Sequence, residues 1–93
     1  MQKIDLGSLV DGVVEISRSQ FETRELTGLY HPPDEKITVN ADMVQLERVV
    51  SNLVGNAVKY NRDGGRVDVF CAREGDNARV EAVSYTHLRA HET

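Results

Sequence analysis

The chain has 93 residues, and its 11 Lys and Arg against 15 Asp and Glu leave a net charge of −4. That length allows one domain or part of one, and the acidic balance excludes a broad nucleic-acid surface, which needs clustered Lys and Arg. The single cysteine, Cys71, excludes an internal disulfide, and no apolar run approaches the roughly 20 residues that cross a bilayer. No signal peptide opens the chain, so the expectation is a small cytoplasmic α+β unit without direct membrane contact. With two Phe, three Tyr and no Trp, its core has to come largely from Val and Leu.

Asp5 is a good N-cap, and Leu6, Leu9, Val10, Val13, Val14 and Ile16 follow at spacings of three and four. This predicts a helix that Phe21 extends and that ends near residues 18–22. From Leu26 to Tyr30 the period shortens to that of a strand, and Pro32-Pro33 breaks it. Ile37-Thr38-Val39 is a second short strand, and the two runs are expected to pair as a hairpin or as neighbours. Asp42 with Gln45 three positions on matches a capping box. Leu46, Val49, Val50, Leu53, Ala57 and Val58 mark the apolar face of a helix to about Tyr60, stopped by Asn61-Arg62-Asp63-Gly64-Gly65. Val67, Val69 and Cys71 then alternate with Arg66, Asp68 and Phe70, and a turn at Glu74-Gly75-Asp76-Asn77 returns the chain through residues 79–83. The expected order is helix, strand, strand, helix, strand, strand, in a sheet with helices on one face.

The other side of the second helix is polar. Arg48, Asn52, Asn56 and Tyr60 stand four apart with Lys59 beside them, which places them about 6 Å apart along the axis. Asparagine is a poor helix former, so two of them in mid-helix invite a reason. An amide oxygen is a neutral, hard ligand that suits Mg²⁺ already neutralised by nucleotide phosphates. A lysine one turn on can reach those phosphates, and a tyrosine ring can pack against a base. The plainer alternative is that both amides are solvated or bonded to a loop.

The run Asp42-Met43-Val44-Gln45-Leu46-Glu47-Arg48-Val49-Val50-Ser51-Asn52-Leu53-Val54-Gly55-Asn56-Ala57-Val58-Lys59-Tyr60 closely resembles the N-box helix of sensor histidine kinases, whose pattern is Asp, then Leu, then Asn-Leu-x-x-Asn-Ala-x-Lys-Phe/Tyr. Asn61 stands where that family often has Thr or Ser. Gly64-Gly65-Arg66-Val67, the start Ile4-Asp5-Leu6-x-x-Leu9, and the junction Val39-Asn40-Ala41-Asp42 also fit, so the resemblance covers residues 2 to about 83.

The resemblance implies a two-layer α/β sandwich of the Bergerat ATP-binding type, truncated, with residues 1–83 as part of the catalytic domain. It implies ATP and Mg²⁺ as cofactors of the complete domain. Asn56 would be the Mg²⁺ ligand, Asn52 a second phosphate-side or metal-side contact, Lys59 a phosphate contact, Tyr60 a neighbour of the adenine, and Arg48 a further candidate. Such domains transfer the γ-phosphoryl group of ATP to a histidine on a separate dimerisation domain, from which a response regulator takes it. The catalysis is positioning and charge neutralisation. The parent could also be membrane-anchored.

The family's next element is Asp-x-Gly-x-Gly, but here Val83-Ser84 runs into Tyr85-Thr86-His87-Leu88-Arg89-Ala90-His91-Glu92-Thr93, with Tyr85 where the Asp belongs and no later glycine. This ending resembles translated adapter sequence, so residues 84–93 are expected to be a non-native or disordered tail and the chain by itself to be inactive. His87 and His91 stand four apart with Glu92 adjacent, but a two-His tail with no third placed ligand is a weak metal site. His31, before Pro32-Pro33, is in the wrong setting for a phosphoacceptor, and Cys71 reads as a small buried hydrophobe. A Bergerat ATPase or an anti-sigma serine kinase is an alternative, although such ATPases usually carry a Glu base where Asn52 stands. A nucleotide-free interaction module is another.

Overall fold

The protein was analysed as a computed structural model that describes residues 1–85. The elements run β1 (Gln2–Asp5), α1 (Leu6–Ile16), α2 (Arg18–Thr23), β2 (Thr27–His31), β3 (Thr38–Ala41), α3 (Met43–Lys59), β4 (Arg66–Glu74) and β5 (Asn77–Tyr85). The fold is α+β, as expected, with one additional strand and with the first helix divided.

The division falls at Ser17. Its hydroxyl donates to the Val13 carbonyl at 2.8 Å while its N–H is shared between the carbonyls of Val13 and Val14. Such back-bonding competes with the regular ladder and bends helices. The chain re-enters a helix at Arg18 and leaves at Thr23, beyond the expected stop. β1 is too short for alternation to reveal it. The Asp5 N-cap is present, its carboxylate accepting the Ser8 N–H at 3.2 Å.

The expected hairpin between the two early strands does not form. β3 pairs antiparallel with β1, from Gln2 opposite Ala41 to Asp5 opposite Thr38. β2 instead runs parallel to β4, with Thr27 opposite Arg66 and His31 opposite Phe70, in a three-stranded sheet ordered β2-β4-β5. Parallel partners need a long crossover, and here β3 and α3 supply it. His31 is the last residue of β2, not a loop residue. The β4–β5 hairpin forms as expected around Gly75, whose φ of 63° is the positive value a two-residue hairpin loop favours.

One face of the sheet carries the core. Val67, Val69 and Cys71 are buried against Leu6, Val10, Val13 and Val14 of α1, Phe21 of α2, and Val50, Val54, Ala57 and Val58 of α3. Burial also raises the pKa of the Cys71 thiol, in keeping with a packed, unreactive side chain. Two expected core residues lie outside it: Ile16 is 76% exposed and Val49 is 62% exposed. Ile16 sits about 200° around its helix from Val14, and Val49 about 140° from Val54, so a spacing of two or five carries each away from the stripe.

On the opposite face of the sheet Asp68 is buried, although alternation alone would leave it solvated. Arg66 Nη2 lies 3.0 Å from one carboxylate oxygen and His31 Nε2 3.5 Å from the other, while the His31 ring stacks on Phe70 at 4.5 Å. β5 continues through Ser84 and Tyr85, which oppose Val67 and Arg66, and the Ser84 hydroxyl donates to the Ala57 carbonyl at 3.0 Å.

Candidate functional site

The site begins with the start of α3. Asp42 has extended backbone, and its carboxylate accepts the Gln45 N–H at 3.0 Å, which satisfies one of the free donors of the first turn. From there the helix runs without interruption to Lys59, because its apolar residues face the core in register.

Residues four apart advance only about 40° around a helix, so Arg48, Asn52 and Asn56 form a slowly turning ridge. That ridge faces away from Val50, Val54, Ala57 and Val58, and all of Arg48, Asn52, Asn56, Lys59 and Tyr60 are exposed. α3 and its C-cap residue Tyr60 therefore bring the five expected site residues onto one open face. Among the described residues, no hydrogen bond engages the side-chain amide of Asn52 or Asn56. The Lys59 ammonium lies 5.3 Å from the centre of the Tyr60 ring, a cation–π arrangement at the helix end. The half-buried Leu53 and the exposed Val49 border the ridge and give it an apolar margin.

Among the described residues, the two amide side chains have no hydrogen-bond partner, Lys59 one turn on has no carboxylate partner, and the Tyr60 ring closes the end. No cluster of three or more His, Cys, Asp or Glu side chains gathers among the described residues. The possible ligands His87, His91 and Glu92 lie outside the described residues. A groove of about 390 Å³ between α2 and α3 is lined in part by Arg24, Gly55, Val58 and Lys59, so the Lys59 end of the ridge borders it. No helix among the described residues is long and apolar enough to cross a membrane.

The turn after α3 is tied down by hydrogen bonds. Tyr60 N–H donates to the Asn56 carbonyl at 3.0 Å, and Asn61 N–H to that of Val58 at 3.3 Å. Asn61 is buried; its side chain donates to the Arg66 carbonyl at 3.0 Å and accepts the Arg62 N–H at 2.8 Å. Gly64 has φ of 84°, and a Cβ on Gly65 would lie 2.7 Å from the Tyr85 carbonyl oxygen. Arg24 reaches the same turn from the end of α2. Sequence reasoning passed over Arg24 and placed Asn61 in the turn, at a position where the resembled family often has Thr or Ser, without its buried bonds; an arginine whose partners are 34 to 39 residues away leaves no local signal.

The fold is that of histidine kinase catalytic domains. The catalytic domain of histidine kinase ThkA matches 97% of the chain with a TM-score of 0.83 and 17% identity. The cytoplasmic segment of histidine kinase QseC matches 85% of it with a TM-score of 0.72 and 25% identity. In sequence, the alginate biosynthesis sensor protein KinB of Pseudomonas aeruginosa is 31% identical over 85 residues, which is 86% of this chain. The chain spans 14% of the length of KinB, 62% of the ThkA domain and 51% of the QseC segment. No protein-family model matches it.

Proposed function

We propose that the chain is the nucleotide-binding part of a two-component sensor kinase, whose whole protein transfers the γ-phosphoryl group of ATP to a histidine of a dimerisation domain and acts in the cytoplasm. The observation that carries this reading is the α3 ridge, where Asn52 and Asn56 offer unspent amide oxygens on an open face beside Lys59 and Tyr60. Asn56 would hold Mg²⁺ together with the phosphates, Asn52 would contact the same group, and Lys59 would neutralise phosphate charge. Tyr60 would flank the base, and Arg48 would extend the positive rim. Mg²⁺, when bound, supplies charge neutralisation for phosphoryl transfer. A response regulator is the expected downstream partner, by analogy with ThkA, which has been crystallised in complex with the response regulator TrrA.

The chain has Tyr85 where the resemblance calls for an adenine-reading Asp, so its own affinity for ATP should be weak. The test is a titration of the isotopically labelled chain with Mg-ATP, followed by amide chemical shifts. Millimolar binding confined to residues around Asn52, Asn56, Lys59 and Tyr60, and lost in Asn56→Ala, is the expected result. Shifts located elsewhere, or none at all, would overturn the reading. Tight, Asn56-dependent binding would instead overturn the inactivity of the chain on its own.

A further inference from the structure

Lys59 and Tyr60 stand at the point where a helix has the least hold on its residues, since the carbonyls of its last turn have no partners within the helix. Arg24 meets this need from another element. Its Nη1 donates to the Val58 carbonyl at 3.0 Å, its Nη2 to the Asn61 carbonyl at 2.5 Å, and its Nε lies 2.6 Å from Asp63 Oδ1. Val58 and Asn61 flank Lys59 and Tyr60 on either side, so one planar guanidinium grips the backbone before and after the pair. The Arg24 carbonyl adds a fourth tie by accepting the Gly64 N–H at 3.3 Å.

The end of α2 is shaped to aim this side chain. Leu26 N–H donates back to the Phe21 carbonyl at 2.7 Å and Glu25 N–H to that of Glu22 at 3.0 Å, the paired bonds of a Schellman turn. Its left-handed position is filled by Glu25 at φ of 55°, without the ease a glycine would give. Phe21, one helical turn before Arg24, is buried in the core and anchors the platform under it.

We propose that Arg24 is a positioning residue for the nucleotide site: it sets where Lys59 and Tyr60 stand, by clamping the backbone on both sides of them, without itself contacting the ligand. The assignment deepens the reading of α3 as a nucleotide-binding face and rests on it. Arginine suits the task because its fork offers several donors in one plane, whereas a lysine is a single point charge.

The test uses the full chain with Arg24→Gln and Arg24→Lys, and reads amide hydrogen exchange and Mg-ATP-induced shifts together. In Arg24→Gln the amides of Tyr60, Asn61 and Gly64 should exchange about tenfold faster, as expected for losing bonds to a charged donor, while core amides such as Val10 and Val69 keep their protection. Arg24→Lys should fall between. The Mg-ATP shifts of Lys59 and Tyr60 should shrink in Arg24→Gln while those of Asn52 persist. Equal acceleration at Val69, or none at Tyr60 to Gly64, would overturn the assignment. Should Arg24→Gln fail to fold, the same local pattern in Arg24→Lys is the expected result, and a uniform change there overturns it. If the unmodified chain shows no Mg-ATP shifts on α3, the nucleotide reading falls, and with it the positioning role; the exchange data still decide whether the clamp exists.

Discussion

The two sides of α3 follow different rules. Toward the sheet, Val50, Val54, Ala57 and Val58 are buried, and their worth lies in area removed from water. Toward solvent, Arg48, Asn52, Asn56, Lys59 and Tyr60 contribute little burial, and both asparagines are less favourable helix formers than alanine. A helix selected for stability alone would not carry that second face. The contrast separates residues that hold the fold from residues held by it.

A single charge placed on each side tests this most severely. Val54 is completely buried, so Val54→Asp puts a carboxylate where no partner waits. The penalty is several kcal/mol, a large share of the about 5–15 kcal/mol that stabilises a typical domain. Loss of the cooperative urea transition is the expected outcome. Asn52→Asp, on the exposed ridge, should stay within about 0.5 kcal/mol of the original in the same measurement. Comparable losses in both would remove the distinction.

The turn where the two sides meet gives effects of middle size. In Gly65→Ala the new Cβ would crowd the Asn61 side chain and the Tyr85 carbonyl, both packed in place. Overpacking of this kind costs about 1–3 kcal/mol, read as a lower urea midpoint at constant slope. Glu25→Gly should act oppositely. It relieves a non-glycine residue of its positive φ, for a gain of about 0.5–1 kcal/mol after the extra freedom of the unfolded glycine is discounted. A loss on Glu25→Gly would mean that the Glu25 side chain supports the turn in some further way.

Legibility in the sequence follows the same divide. α3, with its Asp42 cap, buried stripe and polar ridge, could be read because a helix repeats its environment every few residues, and the β4–β5 hairpin because its turn is local. Val49 and Ile16 show the limit of that method, since apolar type without the right angle does not bury a side chain. Strand pairing was harder. β2 and β3 are neighbours in sequence, yet β2 joins β4, 39 positions on at Thr27 opposite Arg66, and that choice depends on the crossover rather than on either strand. β1, the burial of Asp68 and the reach of Arg24 are likewise products of distant contact. The five candidate residues could be picked out because α3 and its C-cap residue Tyr60 carry them in one uninterrupted run.

The smallest expected effect is the most discriminating for function. Asn52→Ala and Asn56→Ala remove no hydrogen bond seen among the described residues, and each exchanges a poor helix former for the best one. Stability should therefore hold or rise by about 0.5 kcal/mol per substitution. If the amides served only as solvated surface, nothing else would change. If they are ligands, the Mg-ATP shifts along α3 should vanish with Asn56→Ala and weaken with Asn52→Ala while the urea midpoint stays level or climbs. Residues retained at a cost to helix stability, whose removal abolishes only the response to nucleotide, are residues kept for binding. A fall in the midpoint of either variant would instead reassign its amide to the fold, and the ridge would lose the argument that sets it apart from the buried side.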